Sequence, residues 1–266
     1  KPMASATPSA PIATPGNATA LLPQQYLQAV IDDDVYRIDE VKRNTQKMRL
    51  LLMSLARNES TTATNALLKA DIKEKDAQDI DANTVTSYLD IFKRLFLTDN
   101  QPPFASNVRS SVLVTGVQTC ALPIWQAEKR HFADPSLACA LLKLTPEALL
   151  NDLETLGFMF EALCERDLRI YAESFGGTLY HYQDYKNREI DAVIELPDGK
   201  WAAFEIKLGA NQIDQAAANL KQIQREFEED KKAVPPSVLC VLCGLSNAAY
   251  QRPDGVFVIP ITALKS

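Results

Sequence analysis

Residues 188–208 read REIDAVIELPDGKWAAFEIKL, and this stretch decides how the second half of the chain folds. Ile190, Ala192 and Ile194 alternate with Asp191 and Glu195. After Pro197-Asp198-Gly199 the alternation resumes, Ala202, Phe204, Ile206 and Leu208 against Glu205 and Lys207. Period-two alternation is strand patterning, because successive side chains leave opposite faces of a pleated ribbon. A three-residue loop at Pro197-Asp198-Gly199, with Gly199 left-handed after a type I turn, sets Asp191 opposite Glu205. A two-residue turn would set Asp191 opposite Ile206 and mix polar with apolar residues on both faces, so the longer loop is expected.

Two facing carboxylates with a lysine two residues beyond the second repel each other unless something cationic sits between them. Mg²⁺ suits such oxygens and keeps part of its water shell, and a lysine beside it can hold or deprotonate an attacking water while offsetting phosphate charge. Asp191 with Glu205-Ile206-Lys207 resembles the PD-(D/E)xK nuclease superfamily, Asp191 standing as the motif aspartate and Glu205 and Lys207 as its ExK. GFMFEAL at 157–163, RDLRIY at 166–171, the hairpin, and QIDQAAANL at 212–220 extend the likeness. In that order they resemble a C-terminal domain of unknown function that follows the ATPase module in a family of bacterial AAA+ ATP-binding proteins. The likeness runs over residues 129–260.

The resemblance implies an α/β/α, restriction-endonuclease-like core with a mixed sheet. It also implies an Mg²⁺ or Mn²⁺ site formed by Asp191, Glu205 and Glu161, with Lys207 positioning the attacking water. Read from its own surroundings, Glu161 lies at the margin of an apolar stripe, where a carboxylate needs a partner. The chain starts at Lys1 without a methionine and is expected to be a fragment lacking the ATPase module. It holds no GxxxxGK[ST], so no phosphate loop for ATP is expected.

A length of 266 residues bounds the chain to one or two domains, and 46% hydrophobic content supports a sizeable core. A net charge of −6, with pI ≈ 5.1, argues against a strongly basic nucleic-acid binder, although a local basic patch can hide in an acidic average. There is no run of the ~20 apolar residues that a membrane span needs and no signal pattern, so a cytoplasmic protein without membrane contact is expected. Cysteines at 120, 139, 164, 240 and 243 form no paired framework. Cys240 and Cys243 make a CxxC by spacing, but they fall inside an apolar run, where residues three apart face opposite sides of a strand and pack into the core.

Residues 1–20, rich in Pro, Ala, Ser and Thr, read as a flexible linker. Helical patterns follow at 23–31, 44–58, 61–72 and 81–97, with Thr62 or Ser60 expected to cap the third and Asp81 or Asn83 the fourth. An extended segment at 96–104 completes a winged helix-turn-helix over 21–106, which the resemblance also implies between the ATPase and the C-terminal domain. Asn83, Thr84, Thr86, Ser87, Lys93 and Arg94 on the outward face of its last helix could meet a DNA groove or dock a partner. Residues 114–124, VTGVQTCALPI, look like a translated sequencing adapter, so the connector at 107–126 is expected to be artefactual in part.

The nuclease-like domain is expected over 127–266. Thr145-Pro146 should start a helix whose apolar stripe runs on to Tyr171, and Asn211 should cap the helix that follows the hairpin. Three functional readings stay open: a metal-dependent nuclease acting on nucleic acid, a catalytically silent module docking the ATPase to a protein or DNA, and a structural domain that helps the ATPase fold or assemble.

Overall fold

The structure, a computed structural model, describes residues 17–38, 43–104, 127–184, 188–230 and 233–264. The adapter-like residues 114–124 and most of the expected linker lie outside these ranges. The linker is shorter than expected at its end, because Asn17 already opens helix α1 (Asn17–Ala29), which leads into buried Leu27, Val30 and Ile31. A π-turn (Val30–Asp34) and a single turn of helix, α2 (Val35–Arg37), continue it.

Three capped helices follow. Asn44 accepts the Lys47 amide (3.0 Å) ahead of α3 (Thr45–Arg57), Thr64 that of Leu67 (3.2 Å) ahead of α4 (Asn65–Asp76), and Asp81 that of Thr84 (2.9 Å) ahead of α5 (Ala82–Arg94). Such caps satisfy amides that the first turn leaves without partners. The third helix starts later than the sequence suggested, because Ser60 turns with φ 59° and Thr61 is spent on a β-bridge to Arg130. After α5 the chain runs extended, and Thr98 and Gln101 bridge antiparallel to Phe132 and Lys129. Residues 129–132 therefore lie between Thr61 on one side and 98–101 on the other. Helices α3 to α5 with this small sheet have the order of a winged helix-turn-helix.

This pairing corrects the boundary expected at residue 127. Residues 129–132 are the middle strand of the helical unit, and α6 (Pro135–Leu141) packs Leu137 and Ala138, with Phe132, into the core formed by Leu51, Leu55 and Phe92. The physical reason is pairing: a middle strand needs partners on both edges, and these lie in the first half of the chain.

Thr145 caps α7 (Pro146–Asn151), with Pro146 at the first position, as expected. The apolar stripe does not run on as one helix, however. The chain turns at Asp152 (φ −129°), whose carboxylate caps α8 (Leu153–Ser174). A six-stranded mixed sheet then forms in the order β1 (Thr178–Gln183), β2 (Glu189–Glu195), β3 (Trp201–Lys207), β4 (Val238–Cys243), β6 (Phe257–Pro260), β5 (Tyr250–Gln251). Strands β1 to β3 are antiparallel, β3, β4 and β6 parallel. Helix α8 covers one face through Leu168 and Ala172 against Ala192, Ile194, Ile206 and Leu242. Helix α9 (Ile213–Glu229) covers the other through Ala217, Leu220 and Phe227 against Val193, Trp201, Ala203 and Val241. Asn211 does not cap α9; a 3₁₀ turn (Ala210–Gln212) precedes it, and the Gly209 amide donates to Gln212 Oε1 instead. Cys240 and Cys243 are free and buried on opposite faces of β4.

Candidate functional site

The hairpin has the register that the alternation required. Leu196 and Lys200 close the loop (N to O, 2.8 Å), Gly199 takes φ 81°, and the ladder runs from Glu195↔Trp201 to Ala192↔Phe204. Beyond Ala192 the ladder stops. There the Asp191 carboxylate, rather than a backbone carbonyl, accepts the Ile206 amide at 2.7 Å.

On its other edge β2 bulges. Tyr180 pairs with Val193 but Tyr182 with Ile190, so His181 alone opposes both Asp191 and Ala192. A bulge breaks alternation and re-aims the residues it contains. Ile190 accordingly shares the α9 face with Val193, while Ala192 and Ile194 face α8. The expected grouping of Ile190 with Ala192 and Ile194 is thereby corrected. Gln101, fully buried, reaches in from the helical unit and donates its amide to the carbonyls of Tyr180 (2.8 Å) and Asp191 (3.3 Å). The bulge is thus fixed by a residue outside the sheet.

Asp191, Glu205 and Lys207 come together. Lys207 Nζ lies 3.0 Å from Asp191 Oδ2 and 2.7 Å from Glu205 Oε2, and Glu205 also accepts from the Asn219 amide on α9. Asp191 and Glu205 are both buried. Burial and the neighbouring Asp191 charge push Glu205 up to about 7, against the pull of Lys207 and Asn219. Burial would lower Lys207, but Asp191 and Glu205 outweigh it and hold the ammonium charged.

Glu161 joins a second cluster. Its carboxylate pairs with Lys129, whose Nζ also lies 2.9 Å from Glu165 Oε1. Glu165 Oε2 in turn sits 2.9 Å from His131 Nε2, off the axis of a hydrogen bond, and His131 Nδ1 is 3.1 Å from Glu59 Oε1. Both oxygens of Glu59 accept the Phe132 amide. Burial alone would neutralise His131, but Glu165 and Glu59 raise it to about 9. Burial pushes Glu161 up to about 8, with Lys129 opposing and Asp191 adding, so the two clusters are electrostatic neighbours. His181, by contrast, is lowered to about 4 by burial and by Lys129.

Lys129, Glu165, His131, Glu59, Gln101 and Asn219 were not singled out from the sequence. Glu161 and Glu165 share a helix face by their i, i+4 spacing, which was a usable signal. Nothing local marks Lys129 as their partner, since it arrives from another unit.

The donor set bears on a metal ion in two ways. Asp191 and Glu205 offer hard oxygens, and Mg²⁺ is commonly held by one or two carboxylates with waters and substrate phosphate completing its shell. That pair fits. Glu161, expected as a third ligand, is paired with Lys129, and among the described residues no three Asp, Glu, His or Cys side chains are placed to hold an ion. A cavity of about 240 Å³ adjoins the site, lined by Lys129, Phe158, His181, Glu189 and Asp191 and by Ser60 to Thr62 of the helical unit.

Fold and site together define an α/β protein in which a winged-helix-like unit is docked on a mixed sheet, with a buried carboxylate and lysine cluster at the seam. The chain belongs to the family described as Domain of unknown function (DUF8612), whose model matches residues 12–148. A second model, Domain of unknown function (DUF4143), matches residues 156–264. The first match runs past residues 129–132 and α6, in keeping with the packing that assigns them to the helical unit. Neither curated proteins nor solved structures gave a match. Among the described residues no helix is long and apolar enough to cross a membrane.

Proposed function

We propose that this chain is the C-terminal region of a bacterial AAA+ ATP-binding protein, and that its α/β unit hydrolyses phosphodiester bonds of nucleic acid with Mg²⁺ or Mn²⁺. The observation that carries the reading is the half-buried Lys207 ammonium held between the buried carboxylates of Asp191 and Glu205 where β2 and β3 part. The second matching domain is often found in AAA-ATPase-associated proteins, which supports the ATPase link.

In this reading Asp191 and Glu205 hold the ion, which when bound polarises the phosphate and acidifies a water. Lys207 cannot ligate a cation; its three N–H donors orient the attacking water and offset charge growing on the phosphate oxygens. Asn219 keeps Glu205 in place, and the Ile206 amide does the same for Asp191. The test is cleavage of plasmid and single-stranded oligonucleotide with Mg²⁺ or Mn²⁺, with and without an ATPase portion, beside Asp191→Asn. Metal-dependent cutting that Asp191→Asn abolishes is expected; a wild type that cuts under none of these conditions sinks the proposal.

A second reading, a catalytically silent module docking protein or DNA, is favoured by one observation. Lys207 pairs with Asp191 and Glu205, and Lys129 with Glu161 and Glu165, so each of the four carboxylates has an ammonium partner without an ion, two carboxylates to each lysine. Exposed Asn83, Thr86, Ser87, Lys93 and Arg94 on α5 would then be the docking face. Absence of both cleavage and metal binding, together with loss of partner or DNA capture when Lys93 and Arg94 are changed to Glu, supports it.

A further inference from the structure

Lys129 belongs by backbone to the helical unit. Its amide and carbonyl pair with Gln101, and the neighbouring Arg130 pairs with Thr61 and Ser60. Its side chain leaves that unit and ends on α8, between Glu161 and Glu165. Only 7% of Lys129 is exposed, so the ammonium is withdrawn from water and depends on those two carboxylates. Glu165 is held from its other side by His131, also of the helical unit. Among the described residues, Glu161 has Lys129 as its one cation within ion-pair distance. It lies near enough to Asp191 for their charges to interact, and Asp191 lines the same cavity as Lys129.

We propose that Lys129 is a latch carried by the helical unit: it occupies Glu161 in place of a divalent cation, so that the docked protein takes one ion at Asp191 and Glu205, and Glu161 becomes a ligand only when Lys129 is withdrawn. The proposal rests on the metal reading above and goes beyond it by making the helical unit a regulator of the site. Two facts favour a latch over a passive core ion pair. The ammonium and the carboxylate it holds come from different units, so any shift of one against the other separates them. The cavity beside Asp191 is lined from both units, leaving room on the side from which Lys129 reaches.

Electrostatics gives the sign of the effect. Removing a buried positive charge that lines the same cavity as a cation ligand tightens cation binding, and freeing a nearby carboxylate tightens it further. The experiment is an Mn²⁺ titration by calorimetry, with bound Mn²⁺ counted by electron paramagnetic resonance. It compares the wild type, Glu205→Gln, Glu161→Gln, Lys129→Gln and the double variant Lys129→Gln/Glu161→Gln.

With the latch, Glu205→Gln weakens Mn²⁺ by about tenfold or more, while Glu161→Gln stays within about twofold of the wild type. Lys129→Gln binds about tenfold more tightly, and the double variant loses most of that gain. Glu161→Gln weakening binding as much as Glu205→Gln, or folded Lys129→Gln binding no better than the wild type, overturns the latch and leaves the metal reading standing. Binding by Lys129→Gln alone supports the latch and removes the one-ion site of the docked state. Binding by no variant removes both. If Lys129→Gln does not fold, Glu161→Gln against Glu205→Gln decides, because neither changes the latch lysine.

Discussion

At the scale of single residues, the site is a matter of which carboxylate has which ammonium. Lys207 serves Asp191 and Glu205, and Lys129 serves Glu161 and Glu165. The proposed roles divide accordingly. Lys207→Ala should lower any phosphodiesterase turnover by about 10²-fold or more, as for a lost positioned catalytic group, while Mn²⁺ binding measured by calorimetry survives or tightens. Equal turnover in the variant would remove Lys207 from the chemistry. Glu205, raised to about 7 by burial and by Asp191, sets a pH dependence. Below that value the carboxylate carries a proton that a cation must displace. Mn²⁺ affinity should therefore fall as pH drops through 7, by up to about tenfold per pH unit, and be nearly flat above about pH 8. A profile that is flat throughout would show that Glu205 is not a ligand.

At the scale of elements, ion pairs join the strand at 129–132 to helix α8, Lys129 and His131 meeting Glu161 and Glu165. His131 lies between Glu165 and Glu59, with a folded value of about 9 against 6.5 for the free side chain. A raised folded value means that the contribution is complete below about pH 6.5 and is lost as pH rises through 9. It amounts to on the order of 3 kcal/mol. Urea unfolding at about pH 6 and about pH 9 should show this loss in the wild type, and His131→Gln should flatten it. The same slope in the variant would place the titrating group elsewhere. The element that carries the site, the bulged β2, is likewise fixed from outside the sheet, by the Gln101 amide on the Tyr180 and Asp191 carbonyls.

For the whole molecule, the two units are joined by side chains that cross between them. Phe104 follows the strand at 98–101 and inserts into the sheet core, its ring 4.8 Å from that of Trp201 and 5.8 Å from that of Tyr180, while its amide donates to the His181 carbonyl. With Gln101 and Lys129 this makes the helical unit part of the sheet's support. Thermal or urea unfolding of the wild type should follow one cooperative transition. Phe104→Ala should cost about 3–5 kcal/mol, the range for truncating a buried aromatic, and split the curve into two steps as the units uncouple. A single transition shifted by less than about 1 kcal/mol would mean that the units are not coupled through this residue.

The residues alone determined the hairpin, its three-residue loop, the meeting of Asp191, Glu205 and Lys207, and the α/β class, because these depend on alternation, on a Gly with positive φ and on pairing between neighbours in sequence. Helix caps at Asn44, Thr64, Asp81, Thr145 and Asp152 are local in the same sense, although Asn44, Thr64 and Asp152 were not picked out as caps, since several Ser, Thr, Asn and Asp residues compete at such starts. The tertiary structure decided everything that needs a partner distant in the chain. The bulge at Asp191 depends on Gln101, 90 positions away, and the strand at 129–132 finds its edges at Thr61 and at 98–101. Glu161 goes to Lys129 rather than to Asp191 and Glu205, because a partly buried carboxylate takes the ammonium that the fold supplies beside it, and that ammonium arrives from the other unit.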